Sequence, residues 1–106
     1  MKVYDLLKTL GIPCAYGLFK NRQEPPFIVY LGSGQNQFHA DDTVYSKTNL
    51  YQCEYYFKMK DEDREDEIEN AFLENGYLFS KSEDVFVEDE NVFVIYYDIW
   101  EKRNGR

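Results

Sequence analysis

Residues 51–59 alternate strictly. Tyr51, Cys53, Tyr55, Phe57 and Met59 fall on one side of an extended chain, and Gln52, Glu54, Tyr56, Lys58 and Lys60 on the other. A period of two is the pattern of a half-buried strand, because successive side chains point to opposite faces of a pleated sheet. The nearest partner upstream is the apolar run 27–31, Phe-Ile-Val-Tyr-Leu. It is apolar on both faces, which suits a central strand covered on one side by helices. Between the two lies a Gly32-Ser33-Gly34 break and then a polar, aromatic-spotted stretch, residues 35–49. Glycines weaken a strand interior, so Gly32 and Gly34 mark a bend, bulge or hinge. Residues 38–45 alternate poorly, and Ser46-Lys47-Thr48-Asn49 has the composition of a turn.

The flanking sequence supplies helices and more strands. Val3, Leu6, Leu7 and Leu10 recur at i, i+3, i+4 and i+7, a short amphipathic helix stopped by Gly11 and Pro13. So short a helix needs a surface to pack against. Residues 14–19 are a short strand or an extended connection, and 21–25 a polar loop. Pro25-Pro26 keeps the chain extended into residue 27. Residues 61–75 form a second helix, with Asp61 or Asp63 as N-cap, Ile68, Ala71 and Phe72 as its buried stripe, and Gly76 as its stop. Its Glu62, Asp63, Glu65, Asp66, Glu67 and Glu69 read as one solvated face. Residues 77–88 and 92–101 are the last strand pair, turning at Asp89-Glu90-Asn91. Residues 102–106 are a frayed polar tail. The expected fold is one α+β domain over residues 1–101. A mainly antiparallel sheet carries two helices on one face, in the order α-β-β-β-α-β-β.

The chain has 106 residues, enough for one domain that buries about 65% of its unfolded surface. Ten Tyr, eight Phe and one Trp favour β-structure. The net charge of −8 opposes binding through nucleic-acid phosphates, which needs clustered Lys and Arg. Cys14 and Cys53 read as reduced core thiols. No apolar run approaches the ~18 residues of a membrane span, and residues 1–5 lack a signal-peptide pattern. A cytosolic site of synthesis is expected.

The residues that carry chemistry elsewhere are sparse here. His39 is the only histidine. With Asp41 and Asp42 it can attract a divalent cation weakly, but a solvated loop is the plainer reading and the usual zinc set is missing. A Ser–His–Asp or Cys–His arrangement would have to use His39, and no nucleophile elbow accompanies it. Gly32-Ser33-Gly34 lacks the Lys and helix start of a phosphate loop. No carboxylate sits in an apolar context that would make it a general acid. Neither enzyme activity, a cofactor nor a metal is expected. Tyr51, Tyr55 and Phe57 read as sheet core. Tyr56, Tyr96 or Tyr97 would form an assembly surface if the opposite face is uncovered, since interfaces are rich in Tyr.

One order of segments is distinctive. Leu10-Gly11-Ile12-Pro13 leads into Ala15-Tyr16-Gly17. Then come the stretch from Pro25 to Gly34, Phe38-His39-Ala40-Asp41-Asp42 with Val44-Tyr45, the strand 51–58, and Leu73-Glu74-Asn75-Gly76. Over nearly the whole chain this resembles the small tail-completion (tail-to-head joining, tail terminator-like) proteins of long-tailed phages and prophages of Gram-positive bacteria. The resemblance implies a structural protein, made in the host cytoplasm and resident in the virion, that forms a ring at the tail–head junction. Its implied partners are copies of itself, the major tail protein and head-completion or connector proteins. DNA passes through the channel without specific binding, and no membrane is involved. The family's arm, which orders on assembly, corresponds by position to residues 34–49. The expected interface residues are Gly34, Gln35, Asn36, Gln37, Phe38, His39, Asp41, Asp42 and Tyr45, hinged at Gly32 and Gly34. The competing reading from charge alone is a small acidic DNA mimic that inhibits a nucleic-acid-binding protein through the helix at 61–74.

Overall fold

The alternating segment is the C-terminal part of a much longer strand. In the computed structural model, which describes residues 2–40 and 43–101 and the side chains of residues 2–34 and 49–101, strand β3 runs Thr43–Phe57. Met59 and Lys60 lie past its end, and Met59 is exposed rather than part of the apolar face. The expected turn at 46–49 is also replaced by strand. Asn49 pairs with Gln35 and Ser46 with Phe38 in the ladder with β2 (Phe27–Ala40). Turn-prone composition is a local preference, and a continuous ladder of backbone hydrogen bonds overrides it. The expected polar tail, 102–106, lies outside the described residues.

The remaining strands are β1 (Cys14–Tyr16), β4 (Tyr77–Lys81), β5 (Val85–Val87) and β6 (Val92–Glu101), numbered in chain order. The sheet order is β1-β2-β3-β6-β4, with β5 also on β6. Only β1–β2 is parallel among the described pairings. The fold is α+β as expected, with one strand more than the expected order. Residues 77–88, expected as one strand, divide into β4 and β5 along the same side of β6. Lys81 pairs with Tyr97 and Val85 with Val94. Three residues thus oppose two, which is a β-bulge. Ser82 stitches the gap. Its N–H donates to the Tyr96 carbonyl at 2.9 Å, and its Oγ accepts from the Tyr96 N–H at 2.8 Å.

Two helices cover one sheet face. Helix α1 (Val3–Lys8) buries Val3, Leu6 and Leu7, and α2 (Glu62–Glu74) buries Ile68 and Phe72. They pack on Ile28, Cys53, Tyr55, Phe57, Ile95, Tyr97 and Ile99. Asp61 caps α2, accepting from the Arg64 N–H at 3.1 Å. Arg64 itself donates to the Leu10 carbonyl at 3.0 Å, tying α2 to the end of α1. After α2 the chain reverses at Gly76, whose φ of +85° is the left-handed region that glycine enters without steric cost. Cys14 and Cys53 are both free thiols.

The acidic face of α2 departs from expectation. Glu65 is 2% exposed, not solvated, because residues 65, 68 and 72 share one side of the helix. Lys60 Nζ lies 2.7 Å from Glu65 Oε2 and 3.0 Å from Oε1, and Lys81 Nζ lies 2.9 Å from Oε1. Lys81 also reaches Glu69 Oε2 at 2.7 Å, and Lys60 reaches Asp84 at 3.1 Å. Glu69 turns inward too and accepts from the Tyr97 hydroxyl at 2.7 Å. Tyr97 is thus buried under the helices, not on the opposite face. Both lysines approach over aromatic rings, Lys60 over Phe57 and Lys81 over Tyr97. Burial lowers each ammonium pKa, but hydrogen bonds to Glu65 with Asp84, and to Glu69 with Glu65, outweigh it and leave both raised.

A carboxylate this buried is costly when unpaired. Either lysine alone still neutralises Glu65. Removing both, as in Lys60→Ala with Lys81→Ala, is expected to cost about 3 kcal/mol or more. That exceeds the sum of the two single substitutions. Urea unfolding of the wild type, the two single variants and the double variant measures this, and strictly additive small losses would refute it.

Alkali tests the same core. Burial pushes the Cys53 thiol and the Tyr55 and Tyr77 phenols up to about 12. The unfolded chain gives up these protons near pH 9 and 10. The native state then binds more protons than the unfolded state, so stability falls as pH rises. The raised lysines act in the same direction above 10.5. The urea midpoint should therefore hold below about pH 9 and fall steadily towards pH 12. A midpoint unchanged across that window would contradict it.

Candidate assembly interface

β3 pairs with β6 only from Leu50 to Phe57, and β1 reaches only residues 28–30 of β2. Residues 35–40 and 43–49 therefore pair only with each other among the described pairings. They form a two-stranded ribbon about 23 Å long, at roughly 3.3 Å per residue. The principal extents are 51 × 25 × 25 Å and the radius of gyration is 15.2 Å. A compact chain of this length would have a radius near ~13 Å.

The ribbon leaves the sheet through a bulge. Gly32 pairs with Tyr51 and Gly34 with Leu50, so Ser33 is an extra residue on β2. Gly34 has φ +122°, a conformation L side chains rarely adopt. The bulge falls where the hinge is expected, at Gly32 and Gly34, and a bulge kinks its strand and increases local twist. A second register shift follows between Phe38 and His39 and makes Tyr45 the extra residue on β3. Of the expected arm residues, Gly34, Gln35, Asn36, Gln37, Phe38 and His39 lie on β2 and Tyr45 on β3. Asp41 and Asp42 lie outside the described residues, so the cation reading with His39 has no described geometry.

The sheet edges contrast with the ribbon edges. β1 is three residues long, and the β4–β5 edge is broken by its bulge. Short and bulged edges resist pairing with another chain. The ribbon carries two longer edges, residues 35–40 and 43–49, outside the six-stranded part of the sheet. Long edges of this kind are templates for strand addition.

At the root of the ribbon, the sheet face opposite the helices presents a rung of Leu50, Trp100 and Leu78, which pair across β3, β6 and β4. Leu78 is exposed, and Leu50 and Trp100 are half-buried. Tyr56 and Tyr96 lie on this face as expected and are half-buried. Tyr56 stacks on Phe27 at 4.8 Å and donates its hydroxyl to Glu54 at 2.7 Å. Phe19 meets Phe27 edge-on at 5.4 Å, so the loop before β2 covers one end of the face. A hollow of about 320 Å³ remains there between the loop and Val29, Tyr56 and Val92. The rung at the ribbon root has no signal in the sequence, because residues 50, 78 and 100 become neighbours only through strand order.

Among the described residues, no group of three or more His, Cys, Asp or Glu side chains could hold a metal ion. No helix there is long and apolar enough to cross a membrane. No protein-family model and no curated protein sequence matches the chain.

A side chain at Gly34 tests whether ribbon and core are separable. Gly34→Ala is expected to strain the bulge by about 1–3 kcal/mol. The ribbon should absorb this locally. Amide chemical shifts should change only around residues 30–51, with the cooperative urea transition of the core retained. Broad loss of that transition would show that the bulge belongs to the core.

Proposed function

We propose that this chain is a structural assembly protein of a long-tailed phage or prophage, joining tail to head as a ring of copies. The observation that carries the reading is the ribbon. It projects beyond a domain whose own sheet edges are short or bulged, and it holds the longest strand edges among the described residues. Chain-to-chain pairing is the use such edges support. The Leu50–Trp100–Leu78 rung adds an aromatic-apolar patch beside it. The sequence resemblance to tail-completion proteins supplies the setting. On this reading the ribbon orders against a neighbouring copy, the major tail protein or a connector protein. The net charge of −8 keeps a DNA conduit from binding its cargo. No catalytic role is part of the proposal.

The DNA-mimic alternative needs an array of carboxylates on α2. Glu65 and Glu69 turn inward onto Lys60 and Lys81, which removes two of them from that array. This favours the assembly reading.

Ribbon excision tests it. In a variant with residues 35–48 replaced by an Asn-Gly turn, the far-ultraviolet circular dichroism and melting temperature of the core should stay near wild type. Particles assembled with it should show unjoined heads and tails by electron microscopy. Unfolding of the variant would place the ribbon in the core, and normally joined, infectious particles would overturn the function.

A further inference from the structure

A second concavity lies on the helix side of the ribbon root, and the assembly reading does not use it. It is an open hollow of about 810 Å³, between the start of α1, the end of α2 and the strands where the ribbon begins. That is within the ~300–1,000 Å³ typical of ligand sites. Five of the ten tyrosines of the chain line it: Tyr4, Tyr16, Tyr30, Tyr51 and Tyr77. They come from five different elements, α1, β1, β2, β3 and β4. Tyr4 and Tyr16 are 45% and 61% exposed, so these rings are not merely core.

Three of the rings, Tyr4, Tyr16 and Tyr30, form a connected aromatic wall, while Tyr77 is buried at its floor. Tyr16 meets Tyr30 edge-on at 5.1 Å and 81°, and Tyr30 lies 6.4 Å from Tyr4 at 29°. The wall is held in place from outside. The Tyr16 hydroxyl accepts from the Gly32 N–H at 3.5 Å, at the bulge where the ribbon starts. Lys8 Nζ sits 5.1 Å from the Tyr4 ring. Tyrosine offers a rigid apolar face and a polar tip at low entropic cost, the properties of a recognition surface.

We infer that this tyrosine-lined hollow binds a proline-rich polypeptide segment in the polyproline II conformation. Such a helix has no internal hydrogen bonds, so its carbonyls seek donors while its prolyl rings seek flat apolar surfaces. Tyrosine rings with hydroxyl tips supply both, and aromatic-lined grooves are the established way of reading polyproline II. Glu101 is an exposed member of the lining, and the chain carries net charge −8. A basic residue flanking the prolines therefore fits better than an acidic one, although exposed Lys2 stands on the same lining and opposes it. The negative charge also disfavours a nucleic acid stacking on these rings. A second copy of this chain is a poor occupant. Its Pro25-Pro26 pair lines a hollow at the other end of the sheet.

The test is a titration of the ¹⁵N-labelled protein with the peptide acetyl-Pro₅-Arg-amide, alongside acetyl-Gly-Ser-Gly-Ser-Gly-Arg-amide and maltohexaose. The expected result is saturable shifts for the proline peptide, clustered at Tyr16, Tyr30, Tyr51 and Gly76. The Gly-Ser peptide should bind at least about tenfold more weakly, as expected if preformed polyproline II geometry matters. Tyr16→Ala, at an exposed position that leaves the core intact, should weaken the proline peptide at least about fivefold through loss of one aromatic wall. Glu101→Gln should weaken it less. Absence of saturable shifts at millimolar peptide, equal binding of the Gly-Ser peptide, or tighter binding of the sugar would overturn the inference. So would an unchanged affinity in Tyr16→Ala with its native spectrum retained.

Discussion

A mismatch in strand length governs this molecule. β3 has 15 residues and β6 has 10, and β6 pairs with only the segment Leu50–Phe57 of β3. Backbone N–H and C=O groups need partners wherever they are withdrawn from water. The N-terminal half of β3 finds its partner in β2, because no other described strand reaches that far. The ribbon is therefore a consequence of the ladder, and its edges are exposed for the same reason. Gly34, at φ +122°, lets β2 take one extra residue and bend as it leaves the sheet. The ribbon is thereby aimed by the backbone geometry of its root.

The other half of the structure depends on how α2 is anchored. Its apolar stripe is narrow, with Ile68 and Phe72 fully buried. Beside that stripe Glu65 and Glu69 meet Lys60, Lys81 and the Tyr97 hydroxyl. Lys60 precedes the helix and Lys81 ends β4, so these ion pairs join the helix to chain segments on either side of it. Ion pairs of this kind add little net stability over an apolar contact, but they penalise any arrangement that leaves Glu65 unpaired. The helix position is thus selected by charge as well as by packing. One ordered helix layer in turn leaves the opposite sheet face for the loop before β2 and for the Leu50–Trp100–Leu78 rung.

Much of this is legible in the residues. The alternation over 51–57, the Asp61 cap, the Gly76 stop and the turn at 89–91 all follow from local rules that need no tertiary partner. The departures share one cause. Ser46–Asn49 has turn composition, but a ladder partner makes it strand. Residues 77–88 carry no mark that distinguishes one strand from two, and the bulge at 82–84 exists only relative to β6. Residue type alone reads Glu65 as solvated, although its spacing of three and seven from Ile68 and Phe72 signals the buried side. Tyr97 is ambiguous because a strand's period is visible in sequence while the covered face is not.

Side-chain period, capping groups and glycine conformations act over a few residues, so the order of amino acids is enough to specify the α+β class, the helix ends and which residues share a strand face. Three other features belong to the folded chain. β3 outruns β6, two carboxylates of an acidic helix turn inward, and five tyrosines from five elements surround one hollow. Those outcomes depend on which distant segments become neighbours, and no local preference encodes that.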